Sequence, residues 1–297
     1  MALIGLVVHH ERPQAAELAA DAVTWLTDRG HEVRLPHLDA ALAGVTELGS
    51  DDAELAVGLD VAVSLGGDGT MLRTVDLVAG SGVAVIGVNV GQLGYLNEVE
   101  PSGLRMALKR FLAGSYGIEE RMRLAVTIDA PGADGAHGEA TGEASDEVRA
   151  ETALNEAVLE KTPMGHTVRL AVSIDGDFFT TYAADGLIVG TPTGSTAYAF
   201  SARGPIVAPK HRALLLTPVS PHMLFDRTLV LDPSATVRIE VCGHRPATLS
   251  ADGRNLGDLR EGDAIVCTGA DEPARLVTFG PRDFHRILKA KFGLNDR

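Results

Sequence analysis

The chain has 297 residues, enough for about two domains with substantial cores, and 45% of them are hydrophobic. Its 26 basic against 40 acidic residues leave a formal charge of −14, which disfavours nonspecific attraction to nucleic acid or to an anionic membrane; an anionic small ligand would need local cations. The two cysteines, Cys242 and Cys267, lie far apart and outside any Cys-x-x-Cys or His-paired spacing, which speaks against zinc or a disulfide framework.

Leu3 to Val8 reads as a buried strand with no basic leader or cleavage site before it, and no apolar run approaches the roughly 18 residues of a membrane span, so the expected location is the cytoplasm. Ala15, Leu18, Ala19, Ala22, Val23 and Leu26 repeat at helical spacing until Gly30 stops the pattern. A second strand is expected near His31 to Leu35, then an irregular acidic stretch, the strand Val61 to Leu65, a glycine turn, a helix from about Thr70 to Ala79, and the strand Val83 to Val88. This alternation predicts a parallel sheet covered by helices, with ligands collecting beyond the carboxyl ends of the strands. Gly66-Gly67-Asp68-Gly69-Thr70 and Asn89-Val90-Gly91-Gln92-Leu93-Gly94-Tyr95 both lie at such ends.

Glycine lets the main chain take positive φ and lets a ligand approach it, while free amides at the following helix start can face anionic oxygens. The turn therefore suits a phosphorylated ligand. Asp68 would repel phosphate, so it makes sense facing a hydroxyl or a metal; a tight turn with a solvated Asp cap is the alternative.

After a short helix around Gly103 to Leu112, the pattern changes to strands with little helix between them. Leu124–Ile128, Val168–Ile174, Asp177–Tyr182, Leu187–Val189, Ala213–Leu216, Val237–Val241 and Ala264–Val266 alternate or run apolar, and Asp175-Gly176 is placed as a hairpin turn. This half reads as all-β. Asp129 to Thr152 has almost no large apolar side chain and is expected to be a mobile surface loop without chemistry. Asp185 precedes a buried strand and the small-residue turn Gly190-Thr191-Pro192-Thr193-Gly194-Ser195-Thr196-Ala197-Tyr198, whose hydroxyls and amides suit phosphate and ribose or, alternatively, cap a helix. Leu154-Asn155-Glu156 places two polar residues before the apolar Ala157-Val158-Leu159. Phe284, Ile287, Leu288 and Phe292 form the stripe of a final amphipathic helix, read as packing.

The glycine-rich Gly66 to Thr70, the Asn89 to Leu96 segment, Leu154-Asn155-Glu156 and Thr191 to Tyr198 occur together in the order and approximate spacing of NAD kinases, which this chain resembles. The strong motifs run from Val61 to Ser201; the likeness continues more diffusely through Leu216 to His222 and Asp252-Gly253 to the final helix. The first motif alone is shared with 6-phosphofructokinases and with diacylglycerol and sphingosine kinases. Asn155-Glu156 and the threonine turn separate them.

The resemblance implies transfer of a terminal phosphoryl group from ATP, or inorganic polyphosphate, to the 2′-hydroxyl of the adenosine ribose of NAD. It implies an α/β amino-terminal domain with a Rossmann-like parallel sheet, an all-β sandwich-like carboxy-terminal domain, and a final helix returning to the first. The expected bounds are 1–118, 119–272 and 273–297. In the family's pattern Asp68 orients the attacking hydroxyl and accepts its proton, and Gly69 brings main chain against the ligand. Asn155 and Glu156 hold the ribose and nicotinamide side, Asp185 the carboxamide or ribose, and Thr196, Ala197, Tyr198 and Ser201 the adenine end. Arg73 and His166 fall where members place further polar contacts; an exposed helix charge and a loop histidine are their alternatives. No side-chain metal cage is visible, so Mg²⁺ would arrive on the donor phosphates. Homodimers or homotetramers are implied, with no nucleic-acid or membrane partner.

Two departures stand out. Members often read Ser-Ala-Gly-Gly-Pro where this chain has Ser201-Ala202-Arg203-Gly204-Pro205, and Ala183-Ala184 precedes Asp185 without the glycine or polar residue often seen there. Arg203 could meet donor phosphates, a neighbouring subunit or only solvent. A lipid kinase and a noncatalytic dinucleotide sensor are the rival readings: the first lacks a basic or apolar membrane-facing surface here, and the second would not need Asp68.

Overall fold

The computed structural model describes residues 1–91, 94–129, 149–162, 166–281 and 283–294, and the chain divides into two compact units, Met1–Arg121 with Ala274–Arg297, and Met122–Pro273. The first unit runs β1 (Leu3–Val8), α1 (Pro13–Thr27), β2 (Glu32–Pro36), α2 (His37–Leu42), β3 (Gly49–Ser50), α3 (Asp52–Leu55), β4 (Val61–Gly66), α4 (Asp68–Leu77), β5 (Ala84–Asn89), α5 (Leu104–Leu112) and β6 (Gly117–Arg121). β4 and β5 are buried at every position, which is why they read as unbroken apolar runs rather than alternations. Ile4, Leu6 and Val8 of β1 share a core with Ala15, Ala19 and Leu26 of α1. Pro13 suits the first turn of α1, where its missing amide costs nothing, and Gly30 at φ 73 closes the chain reversal after it.

Two expectations are corrected here. The stretch between β2 and β4 is structured: it holds α2, a 3₁₀ turn at Thr46–Leu48, β3 and α3. One of its acidic residues is used inside the fold, since Asp39 is fully buried and bonds the Val8 amide, and the end of α3 is held by Arg34, which donates to the main-chain carbonyls of Glu54, Leu55 and Val57. The helix after the glycine turn begins at Asp68 rather than Thr70, because Gly67 is extended (φ −94, ψ −164) and leaves the helical path open immediately after it.

The second unit runs β7 (Leu124–Asp129), β8 (Arg149–Ala153), β9 (Glu156–Lys161), β10 (Val168–Ile174), β11 (Asp177–Ala184), β12 (Gly186–Gly190), α6 (Tyr198–Ser201), β13 (Leu214–Val219), β14 (Leu229–Leu231), β15 (Val237–Val241), β16 (Ala247–Ala251), β17 (Arg254–Leu259) and β18 (Ala264–Gly269). Its antiparallel sheets, ordered β11-β10-β15-β18-β7-β8 and β14-β13-β12-β9-β16-β17, bury one shared core, with Leu170, Val172 and Ile239 from the first joining Leu159, Leu187 and Leu249 from the second. That is a β-sandwich. Asp175 (φ 53) and Gly176 (φ 90) form the expected β10–β11 hairpin turn. Within Asp129–Thr152, expected to be loop, Asp129 ends β7 and residues 149–152 pair with it in β8, their polar side chains tolerated on an edge strand; residues 130–148 lie outside the described residues.

The chain then returns to the first unit. β19 (Ala274–Thr278) runs parallel to β5 and antiparallel to β6, completing a sheet ordered β3-β2-β1-β4-β5-β19-β6. α7 (Phe284–Phe292) follows, capped by the Asp283 carboxylate on the Arg286 amide at 3.1 Å and ended by Gly293 in the left-handed region. Phe284, Ile287 and Leu288 are half-buried and Phe292 is exposed, so the apolar stripe packs only in part.

Candidate active site

After β1 the chain moves to β2 on one side of the sheet, and after β4 it moves to β5 on the other, so the carboxyl ends of β1 and β4 form the topological switch point of the first unit. His9 to Arg12 and Gly66 to Asp68 leave the sheet there. The Arg12 guanidinium donates to the Val90 carbonyl and lies 4.0 Å from where a side chain on Gly67 would begin, placing a cation beside the start of α4. Gly91 must lack a side chain, because a Cβ on it would fall within that guanidinium.

Asp68 occupies the first turn of α4, where the helix dipole favours its charge. Its Oδ2 accepts the Tyr95 amide at 2.8 Å and its Oδ1 the Leu96 amide at 3.0 Å. Gly94 permits this approach, since any Cβ there would collide with the carboxylate. Two of the roughly four lone-pair positions of the carboxylate are thereby used, and the rest remain for a further donor. Gly69 is exposed, with no atom near the position of a hypothetical Cβ, so its main chain is open to approach.

Arg73, one turn further along α4, is paired with an acid rather than standing as a free helix charge. Its Nη1 and Nη2 bond the two oxygens of Asp39 at 3.0 and 2.9 Å, and Nη1 also meets His10 Nε2 at 3.0 Å. Asp39 Oδ2 additionally accepts the Val8 amide at 2.6 Å, and His10 Nε2 lies 2.9 Å from Oδ1, so that one nitrogen either donates to Asp39 or accepts from Arg73 according to its tautomer. The cluster ties the end of β1 to α2 and α4.

In the second unit, Asn155 directly precedes β9 and Glu156 opens it, beside the threonine turn. Thr191 Oγ1 donates to the Leu154 carbonyl at 2.6 Å, the Thr191 amide to the Asn155 carbonyl at 2.8 Å, and Gly194 lies so close to the Asn155 main chain that no side chain fits. The Glu156 side chain is buried; it accepts the Tyr198 amide, and its Oε2 has no partner among the described residues. Burial, with the charge of Asp252 beside it, pushes the Glu156 carboxyl up to about 8 despite the Tyr198 amide. Asp252, at the β16–β17 turn, accepts the amides of Leu154, Asn155 and Glu156. Burial raises its carboxyl too, with those three amides and Arg254 opposing.

Thr196 and Ala197 are half-buried, while Tyr198 and Ser201 are exposed on the same short turn. Asp185 lies between β11 and β12 and pairs with Lys161 at 2.8 Å. Burial raises the Tyr198 hydroxyl, helped by Glu160 and Asp185 and opposed by Lys161. The second unit thus brings Asn155, Glu156 and the Thr191–Ser201 turn together; His166 is exposed ahead of β10. Arg203 adopts φ 66, a conformation that favours glycine and accounts for the glycine often found there in the resembled family. Asp39 and Lys161 carry no signal in the sequence, and Asp252-Gly253 belongs only to the diffuse part of the family likeness, with no role attached to it. Among the described residues no group of three or more His, Cys, Asp or Glu is placed to hold a metal ion, and no helix is long and apolar enough to cross a membrane. Both cysteines are free thiols.

A glycine turn at the switch point of a parallel sheet, holding a carboxylate by main-chain amides, with a sandwich carrying a hydroxyl-rich turn, defines a nucleotide-handling phosphotransferase. Residues 45–116 match the ATP-NAD kinase N-terminal domain and residues 154–279 the ATP-NAD kinase C-terminal domain. The NAD kinase of Moorella thermoacetica is 39% identical over 98% of this chain and 89% of its own, and that of Heliobacterium modesticaldum 40% over 98% of each. Yeast NADH kinase, solved with NADH, superposes with a TM-score of 0.88 at 25% identity over 100% of this chain and 89% of that one. An Archaeoglobus fulgidus NAD kinase solved with ATP shares the fold, with a TM-score of 0.72 at 23% identity over the whole of both chains. The chain belongs to the NAD kinase family, and its reaction is the phosphorylation of NAD to NADP.

Proposed function

We propose that Asp68 is the group that orients the 2′-hydroxyl of the adenosine ribose and accepts its proton as the phosphoryl group arrives. The observation that carries this is the Asp68 carboxylate at the glycine turn, held on both oxygens by the Tyr95 and Leu96 amides yet with lone pairs remaining. Phosphoryl transfer asks mainly for positioning, charge neutralisation and one such group. Gly69 gives main-chain access.

Asn155 and Glu156 are proposed to hold the ribose and nicotinamide side of NAD, Asp185 the carboxamide or ribose, and Thr196, Ala197, Tyr198 and Ser201 the adenine end. The unpartnered Oε2 of Glu156 supports this, because a buried carboxyl oxygen left without a hydrogen-bond partner gains most from a ligand hydroxyl. Arg73 and His166 complete the proposed set; with both terminal nitrogens on Asp39, Arg73 would reach a ligand only with its remaining donors. The donor is ATP, with polyphosphate the alternative, and Mg²⁺ comes with the donor phosphates, where it would neutralise charge on the transferring group. Self-association into dimers or tetramers is supported by Phe178, 67% exposed on the edge strand β11. A cytoplasmic location is supported by the two free thiols.

The test incubates the protein with NAD, Mg²⁺ and either ATP or polyphosphate and measures NADP, for the unmodified chain and for Asp68→Asn. The substitution is expected to lower kcat by roughly 10²–10⁴-fold with little change in NAD affinity. Equal losses in both would make Asp68 a binding group rather than the base.

A further inference from the structure

Asp252 has no part in the roles assigned so far, and its placement is costly. It is a non-glycine residue at φ 47, followed by Gly253 at φ 79, in the turn from β16 to β17. From there its carboxylate accepts three consecutive amides, Leu154 at 2.6 Å on Oδ2 and Asn155 at 2.8 Å and Glu156 at 3.1 Å on Oδ1, and its own amide donates to the Glu156 carbonyl at 3.0 Å. The other edge of the segment is held by Thr191, whose hydroxyl and amide bond the Leu154 and Asn155 carbonyls at 2.6 and 2.8 Å. All six main-chain polar groups of Leu154-Asn155-Glu156 are therefore tied to two residues distant in sequence. A segment needed only to begin a strand would not require this.

We propose that Asp252 is a positioning residue for NAD: its carboxylate fixes the main chain of residues 154–156 so that the Asn155 and Glu156 side chains stand ready for the dinucleotide. The inference rests on the reading that Asn155 and Glu156 bind NAD. A carboxylate is needed because three donors converge on it; an asparagine offers one acceptor oxygen and turns an amino group against the remaining amides. The same convergence makes the bonds charge-assisted, so their loss frees the segment rather than merely loosening it.

Asp252→Asn preserves size and tolerance of the left-handed conformation, so it removes the clasp with little other change. It is expected to raise KM for NAD about tenfold or more, to leave KM for ATP within about twofold, and to speed amide hydrogen exchange at residues 154–156. Combined with Glu156→Gln it should cost less than the product of the two single effects, because both act through one bound segment. An unchanged KM for NAD, or fully multiplicative losses in the double variant, overturns the proposal. The underlying reading fails separately: Glu156→Gln and Asn155→Ala would then leave KM for NAD unchanged. If Asp252→Asn does not fold, Asp252→Ser is judged by the same criteria, and exchange at 154–156 in the unmodified protein as fast as in a free loop also overturns the clasp.

Discussion

Glu156 enters the folded state at a cost. Its carboxyl ordinarily titrates near 4.5, and in the fold burial pushes it up to about 8, so folding favours the protonated form. The native state then binds more protons than the unfolded chain between these values, and stability falls as pH rises through that window: the contribution is intact below about 4.5 and lost above about 8. Glu156→Gln keeps the shape and removes the ionisation. In thermal unfolding without NAD, it is expected to raise Tm by about 5 °C at pH 8.5 and by much less at pH 5.5. An equal gain at both values would trace the effect to packing. Arg203 carries a different cost. At φ 66 a side chain crowds its own carbonyl, and no such penalty falls on glycine. Relief of that strain exceeds the extra chain entropy of glycine, so Arg203→Gly is expected to stabilise by about 0.5 kcal/mol in denaturant titration and to leave kcat/KM unchanged within about twofold. A tenfold loss of activity would instead assign the guanidinium a contact with substrate.

At the scale of elements, the legible strands are those whose sequence shows their burial. β4 and β5, buried throughout, stand out as apolar runs, and β10, β15 and β18 can be picked out by alternation or apolar content. β17 reads Arg-Asn-Leu-Gly-Asp-Leu and β8 Arg-Ala-Glu-Thr-Ala; both are edge strands facing largely away from the core, so neither carries a hydrophobic signature, and only pairing with a neighbour makes them strands. The site divides in the same way. The glycine turn announces itself because its requirements are local: an extended Gly67, an open Gly69 and the start of a helix. What holds Asp68 comes from Tyr95 and Leu96, and what holds Asn155 and Glu156 comes from Asp252, nearly a hundred residues away. Such long-range bonds leave no periodicity in the chain. Asn155-Glu156 itself was legible as a site only through the family resemblance, since an Asn-Glu pair at the start of a strand is chemically unremarkable.

At the scale of the whole molecule, the end of the chain belongs to the first unit through a strand more than through a helix. β19 sits between β5 and β6, bonded on both sides, and buries Leu276 and Val277, whereas no residue of α7 is buried. The amphipathic stripe of α7 is visible in the sequence, whereas Ala274-Arg275-Leu276-Val277-Thr278, five residues with three apolar positions, gives too little pattern to register as a strand. The two elements should therefore separate in truncation. A chain ending at Pro273 leaves the β5 edge unpaired, strands β6 and removes two core side chains worth roughly 1.5–3 kcal/mol each before the lost ladder bonds are counted, so the first unit is expected not to fold. A chain ending at Asp283 keeps β19 and should retain a cooperative melt. It loses one contact that bears on the glycine turn: Lys291 Nζ lies 4.2 Å over the ring of Tyr95, whose amide holds Asp68. A cation over a ring that is only partly buried contributes about 0.5–1 kcal/mol, so the shorter deletion is expected to lower kcat by about two- to fivefold, with Lys291→Ala in the full chain reproducing most of that loss. Circular dichroism melts and NADP formation on the two truncated chains and on Lys291→Ala distinguish the outcomes; an unfolded chain ending at Asp283 would move the anchoring role from β19 to α7.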